Sequence, residues 1–171
     1  IALIFNTNIR PLDFLTGILK EWGVECKKRR KAELYDSLNK FLLNEYREKA
    51  SVILIVDEAQ NLPFETLEEI RMISNLNDEK VPLLHIVLSG QPNLIDRLDS
   101  PRLEQLRQRV SVHYHLGPLD KEESFLYTEH RLKMAGATDL NIFTPDAVES
   151  IYMYSEGIPR VINLICDIAL V

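Results

Sequence analysis

The sequence predicts an α/β fold in which a parallel sheet with crossover helices is followed by an all-helical segment. Three observations carry this expectation. Short apolar runs recur along the first two thirds of the chain, the stretches between them repeat hydrophobic residues at helical spacing, and after Leu116 only helix signals remain.

Four runs read as strands: Ala2 to Phe5, Ser51 to Val56, Leu83 to Leu88 and Val110 to Leu116. Three of them are continuous rather than alternating, the pattern of parallel strands covered on both faces. Between them, Leu34, Leu38, Phe41, Leu42 and Tyr46 form one helical stripe. Leu67, Ile70, Ile73 and Leu76 form a second, with Pro63 at a first-turn position. Crossovers of this length imply parallel pairing. Beyond the sheet, Asp120 with Glu123 has the form of a capping box opening a helix to about Met134. Thr144 and Pro145 start another helix that Gly157 ends, and Pro159 starts a third that runs to Val171. The expected division is an α/β core over residues 1–117 and a helical subdomain over 118–171, with Gly117 and Pro118 as hinge.

Composition narrows the class. A chain of 171 residues with 46% hydrophobic and 27% charged content is that of an ordinary globular domain, which excludes collagen-like and low-complexity sequence. No run reaches the roughly 18 apolar residues of a membrane span. Cys26 and Cys166 stand far apart with no signal-peptide pattern, against a disulfide scaffold. The net charge of -6 argues against DNA binding by the whole surface. The opening Ile1, followed by Ala-Leu-Ile-Phe with no initiator Met, predicts that the natural protein begins further upstream.

Four short stretches carry chemistry. In ILIVDEAQ (residues 53–60), an apolar strand ends in Asp57 and Glu58, at the carboxyl edge where α/β sheets bind ligands. One such carboxylate can hold Mg²⁺ and its neighbour can deprotonate an attacking water; alternatively, Asp57 caps a turn and Glu58 is solvated. In HIVLSGQPN (85–93), a second apolar strand exits into Ser89, Gly90 and Gln91, small polar groups suited to approach a phosphate, although Gly90 and Pro92 also spell an ordinary turn. In RLEQLRQRV (102–110), Arg107 and Arg109 lie at a helix end just before a strand, where cations complement the helix dipole or serve a neighbouring subunit's phosphates. In EGIPR (156–160), Pro159 and Arg160 open the last helix, either as helix punctuation or as a guanidinium for a phosphate.

Taken together, DEAQ, GQP, LRQR and GIPR resemble an AAA+ ATPase, and the whole chain, from IFNTN through SNL, GQPNL, LRQRV and YHLGPLD to GIPRVINLICDIAL, is similar to the general secretion pathway protein A family. That resemblance implies a P-loop NTPase core with a C-terminal helical lid, using ATP and Mg²⁺. Asp57 would be the Mg²⁺ acid, Glu58 the catalytic base, and Ser89 or Gln91 the first sensor. Arg109 or Arg107 would be an arginine finger supplied across a homo-oligomer, and Arg160 the second sensor. The implied role is remodelling of a bacterial envelope secretion apparatus, from the cytoplasmic domain of an inner-membrane-associated protein with a secretion-system partner. A DNA-associated transposition-type ATPase and a noncatalytic scaffold are the alternatives.

The sequence departs from that family in one respect: no glycine starts the phosphate-binding pattern GxxxxGK[ST]. Without its backbone amides, lysine and hydroxyl, this stretch alone should bind nucleotide poorly, and the loop is expected just upstream of Ile1. Among weaker features, the five consecutive basic residues Lys27 to Lys31 are either a solvated loop or a contact for anionic lipid or nucleic acid. His113 and His115 would share one side of the last strand, with no third ligand at metal spacing.

Overall fold

The computed structural model describes residues 1–4, 9–26, 30–78 and 81–171, and it divides into two compact units, Ile1–His113 and Tyr114–Val171. The first unit opens with strand β1 (Ala2–Ile4) and helix α1 (Pro11–Glu21). Pro11 takes the first helical position, where its missing N–H costs nothing, and Phe14, Leu15, Ile18 and Leu19 line the buried side. Gly23, at φ 72°, ends that helix in the left-handed conformation glycine adopts freely. Helix α2 (Lys31–Arg47) buries Leu34, Leu38 and Leu42 at four-residue spacing. Then come strand β2 (Val52–Val56), a 3₁₀ turn (Ala59–Asn61) and helix α3 (Phe64–Ile73). The two-residue strands β3 (Asn77–Asp78) and β4 (Val81–Pro82) pair antiparallel ahead of strand β5 (Leu84–Leu88), which is followed by the short helices α4 (Asn93–Leu98) and α5 (Glu104–Arg107).

The sheet is parallel, in the order β1-β2-β5, with Leu54 opposite Ala2 on one side and Ile86 on the other. Ala2, Ile4, Val52, Leu54, Val56 and Leu84 are buried on the face covered by helices. Because α1 contacts both α2 and α3, these helices form a single layer. The opposite face is open: Leu3 is 39% and Val87 48% exposed, His85 is exposed, and Ile53 and Ile55 are half-buried. The expectation of strands covered on both faces therefore holds for one face only; an apolar run records what a strand tolerates on each side, not whether a second layer covers it.

Two further expectations need correction. Pro63 is the N-cap of α3 rather than a first-turn residue. Val110–Leu116 is not a strand, so Arg107 and Arg109 precede an irregular segment and His113 and His115 share no strand face. Its Val112, Tyr114 and Leu116 are 81–83% exposed. Period-two alternation is present there, but a strand exists only through a ladder with a neighbour, and among the described residues the sheet ends at β5. The part of the basic run at 27–29 lies outside the described residues; Lys31 begins α2 and pairs with the buried Glu69 at 2.6 Å.

The second unit contains helices α6 (Lys121–Met134), α7 (Pro145–Ser155) and α8 (Pro159–Ala169), each contacting the other two. The capping box forms: Asp120 Oδ1 accepts the Glu123 N–H at 2.8 Å, and the Asp120 N–H donates to Glu123 Oε2 at 3.0 Å. Thr144 caps α7 by accepting the Ala147 N–H at 3.3 Å. Between α7 and α8, Gly157 sits at φ 73°, and its carbonyl accepts the Leu119 N–H at 2.9 Å. A Cβ at this position would fall 1.9 Å from the Leu119 carbonyl oxygen, so the close approach admits only glycine.

Candidate functional site

Strands β2 and β5 run side by side in the same direction, so their carboxyl ends emerge together, and the two exits are tied backbone to backbone. Asp57 continues the ladder by donating its N–H to the Ile4 carbonyl at 3.1 Å. Ser89 donates its N–H to Val56 at 2.9 Å and accepts the Ala59 N–H at 2.9 Å. Asp57 and Glu58 therefore leave the central strand beside Ser89, Gly90 and Gln91 leaving its neighbour. This is the carboxyl-edge position where parallel sheets gather ligand-binding groups.

The acid pair is oriented locally. Asp57 Oδ1 accepts the Glu58 N–H at 2.9 Å, leaving its second carboxylate oxygen without a protein partner among the described residues. Glu58 adopts the left-handed conformation (φ 50°, ψ 35°), which breaks the strand and turns the chain into the 3₁₀ turn. Successive side chains that would alternate across a strand are thus splayed by a change of backbone basin.

Gln60, quoted within DEAQ but given no role by the sequence, joins the two exits. It is buried, and its Nε2 donates to Glu58 Oε2 at 2.6 Å while its Oε1 accepts the Gln91 N–H at 3.1 Å. Arg97 on α4 donates to the Gln60 carbonyl and, at 2.6 Å, to the Leu62 carbonyl, and it lies over the Phe64 ring at 5.0 Å, locking the 3₁₀ turn against α4. Nothing in the spacing of Arg97 marked it, because its partners are backbone carbonyls supplied by a turn 35 or more residues earlier.

The structure brings together Asp57, Glu58, Ser89 and Gln91 among the anticipated residues. Arg107 closes α5 and pairs with Asp99 at 3.4 Å, both side chains being exposed. Arg109, two residues further, is also exposed. Arg160 is the second residue of α8 and belongs to the second unit, where it too is exposed.

The donor set suits a hard divalent cation on one side. Mg²⁺ takes one or two carboxylates and completes its shell with water and phosphate oxygens, and Asp57 offers an unengaged carboxylate oxygen for that purpose. Among the described residues no group of three or more His, Cys, Asp or Glu gathers, so the protein side of such a shell would be sparse. The phosphate-cradling pattern is absent from the sequence, so these residues fit the metal and water side of a nucleotide site and not its phosphate cradle.

A cavity of about 330 Å³ lies elsewhere in the first unit, lined by residues including Lys31, Phe64, Glu65, Glu69 and Arg102. Its carboxylates are paired: Glu69 with Lys31 at 2.6 Å, Glu68 with Arg71 at 2.9 Å and Glu65 with Arg102 at 3.8 Å. Burial, and then the neighbouring Glu69, push the Tyr35 hydroxyl well above its ordinary range, so it stays protonated. The carboxylates of this cavity are thus already matched by cations, which makes it a packing feature.

Comparison with known proteins identifies the family. Residues 3–98 match the AAA domain family. The chain is 39% identical over 172 residues to general secretion pathway protein A of Aeromonas hydrophila, which spans all of this chain and 31% of that protein. It is 29% identical over 193 residues to an uncharacterized HTH-type transcriptional regulator of Methanocaldococcus jannaschii, covering 98% of this chain and 46% of the relative. Among solved structures, the ADP form of the Aeropyrum pernix ORC2 protein superposes with a TM-score of 0.67 at 19% identity, over 94% of this chain and 45% of that one. The ADPNP–ADP complexes of ORC2 give 0.62 at 19% identity, over 78% of this chain and 36% of that one. The chain thus spans less than half the length of the relatives it matches. A parallel sheet ending in an acid pair, a family match over residues 3–98 and the likeness in fold to ORC2 agree: this chain belongs to the AAA domain family.

Proposed function

We propose that this chain forms the hydrolytic side of an ATPase module that acts in a bacterial envelope secretion apparatus. The observation that carries the reading is the joining of the two strand exits, with Asp57 and Glu58 fixed beside Ser89 and Gln91 through Gln60. ATP bound there with Mg²⁺ would supply the transferable phosphoryl group and the cation that offsets its charge. In this reading Asp57 holds the cation, Glu58 accepts the proton of the attacking water, and Ser89 or Gln91 reads the terminal phosphate. Arg109 or Arg107, exposed at the end of α5, serves the nucleotide of an adjacent copy in a homo-oligomer, and Arg160 links phosphate occupancy to the helical unit. The 39% identity to general secretion pathway protein A supports the secretion role. A cytoplasmic site of action next to an inner-membrane partner belongs to the same proposal. Among the described residues no helix is long and apolar enough to cross a membrane.

The test is Glu58→Gln in the full-length protein. Removing a general base should lower turnover by about a hundredfold or more while ATP is still bound. Unchanged turnover would overturn the reading in favour of a scaffold that keeps the fold. A DNA-associated role draws on the HTH-type name of the Methanocaldococcus relative. It requires duplex binding whose affinity falls steeply as salt rises, and an absence of such binding excludes it.

A further inference from the structure

We infer that Gln60 is a positioning residue for the Glu58 carboxylate, an amide clamp that transmits the placement of the Ser89–Gln91 turn to the proton acceptor. The inference rests on the ATPase reading above and adds to it a residue and a route of coupling.

The orientation of the amide is fixed by its partners. A backbone N–H can only donate, so the atom facing Gln91 N is the amide oxygen, at 3.1 Å. The amino group must then face Glu58, where it donates to Oε2 at 2.6 Å. A buried side chain with both ends engaged has one low-energy orientation, since releasing either end strands a polar group. Glu58 is itself exposed, so a single bond to Oε2 sets the direction of its carboxylate while Oε1 keeps no protein hydrogen bond among the described residues and is free to meet a water.

The room for the clamp comes from Gly90. A Cβ at position 90 would lie 2.5 Å from Gln60 Oε1 and 3.2 Å from Leu94 Cδ2. Because the nearer obstacle is the free end of a side chain rather than backbone, a methyl group there displaces the amide, and the main folding cost is that of the hydrogen bonds it releases. Arg97 holds the other side of the same residue by donating to its carbonyl, so the Gln60 backbone is anchored while its amide bridges. A shift of the 89–91 turn, as when a phosphate is engaged or released, therefore pulls directly on the group that orients Glu58.

The experiment uses the full-length protein and measures kcat, KM for ATP, affinity for a fluorescent ATP analogue, and the unfolding midpoint by circular dichroism. Gln60→Ala and Gly90→Ala are each expected to lower kcat about tenfold, with KM and analogue affinity within about twofold of the parent, as for loss of orientation rather than of binding. Gln60→Glu keeps an acceptor for the Gln91 N–H but sets a carboxylate against Glu58, and should lose at least as much kcat as Gln60→Ala. In a Glu58→Gln background, Gln60→Ala should add less than about twofold, because the two act as one unit. An unchanged kcat in Gln60→Ala or Gln60→Glu, when Glu58→Gln abolishes turnover, overturns the clamp and leaves the ATPase reading standing. A Gln60→Ala loss that persists undiminished on top of Glu58→Gln also overturns it, by marking a structural role. Unchanged turnover in Glu58→Gln itself removes both.

Discussion

The first unit is built around covered apolar side chains, whereas the second is built around helix ends. Among the described residues, every fully covered apolar side chain belongs to Ile1–His113 except Ile151 and Ile162. The second unit instead relies on the Asp120–Glu123 box, the Thr144 cap, the Lys121–Glu149 pair at 2.5 Å, the Asn163–Tyr127 bond at 2.9 Å and the glycine-only contact of Gly157 with Leu119. Burial contributes about 25 cal/mol per Å² and is cooperative through close packing, while a cap or an exposed pair contributes about 1 kcal/mol or less and acts within its own turn. The difference implies a rigid unit that holds the acid pair and a unit of low local stability, the kind of element whose opening costs little free energy.

The largest expected effect tests the first half of that contrast. Phe14→Ala removes a ring that is 0% exposed in the core and should lower stability by about 3 to 5 kcal/mol. The chain has one tryptophan, Trp22, in the first unit and stacked on Phe41 at 5.2 Å, so denaturant unfolding followed by its fluorescence reports on that unit. A loss below about 1 kcal/mol would mean the core is looser than its burial implies.

Next in size is Gly157→Ala, which combines a positive φ with a 1.9 Å collision against backbone. It should cost about 3 kcal/mol or more, confined to the second unit. Amide hydrogen exchange should show lost protection around Ile151 and Ile162 with an unchanged Trp22 transition. Protection that stays intact would show that the Leu119 contact is dispensable.

The smallest effect concerns pH. Lys121 holds the Glu149 carboxyl below its ordinary value of 4.5, first by hydrogen bonding and then by its charge. A carboxylate whose value is lowered on folding adds stability above its unfolded value, and that stability is lost as pH falls through the folded one. The pair is exposed, so the difference between parent and Glu149→Gln, followed by helical circular dichroism, should be slight at neutral pH, vanish in acid below the ordinary glutamate range, and shrink with salt. A difference that grows in acid would contradict this assignment.

How much of this was legible in the sequence differs from element to element. Strands β1, β2 and β5, helices α2 and α3 and the caps at Asp120 and Thr144 follow from local signals, because their periodicity and end residues are written within single segments. Helix α1 carries signals of the same kind, Pro11 ahead of Phe14, Leu15, Ile18 and Leu19. Val110–Leu116 misled because alternation describes one strand and pairing needs two. At the candidate site, the acid pair and the GQP exit were legible as strand ends. Gln60 and Arg97 were not: Glu58 stands only two residues from Gln60, but the Gln91, Gln60 and Leu62 groups that fix the two side chains lie 31 to 37 residues away and are backbone atoms that leave no mark on composition.

Glu58 rests in a backbone basin that suits glycine or asparagine better than a glutamate, at a cost of about 1 kcal/mol. Mutational drift at that codon therefore runs downhill in folding energy toward residues that cannot accept a proton. If Glu58 is the proposed proton acceptor, a lineage that abandoned catalysis would gain thermostability by letting the acid go, and keeping it means holding the polypeptide against its own grain.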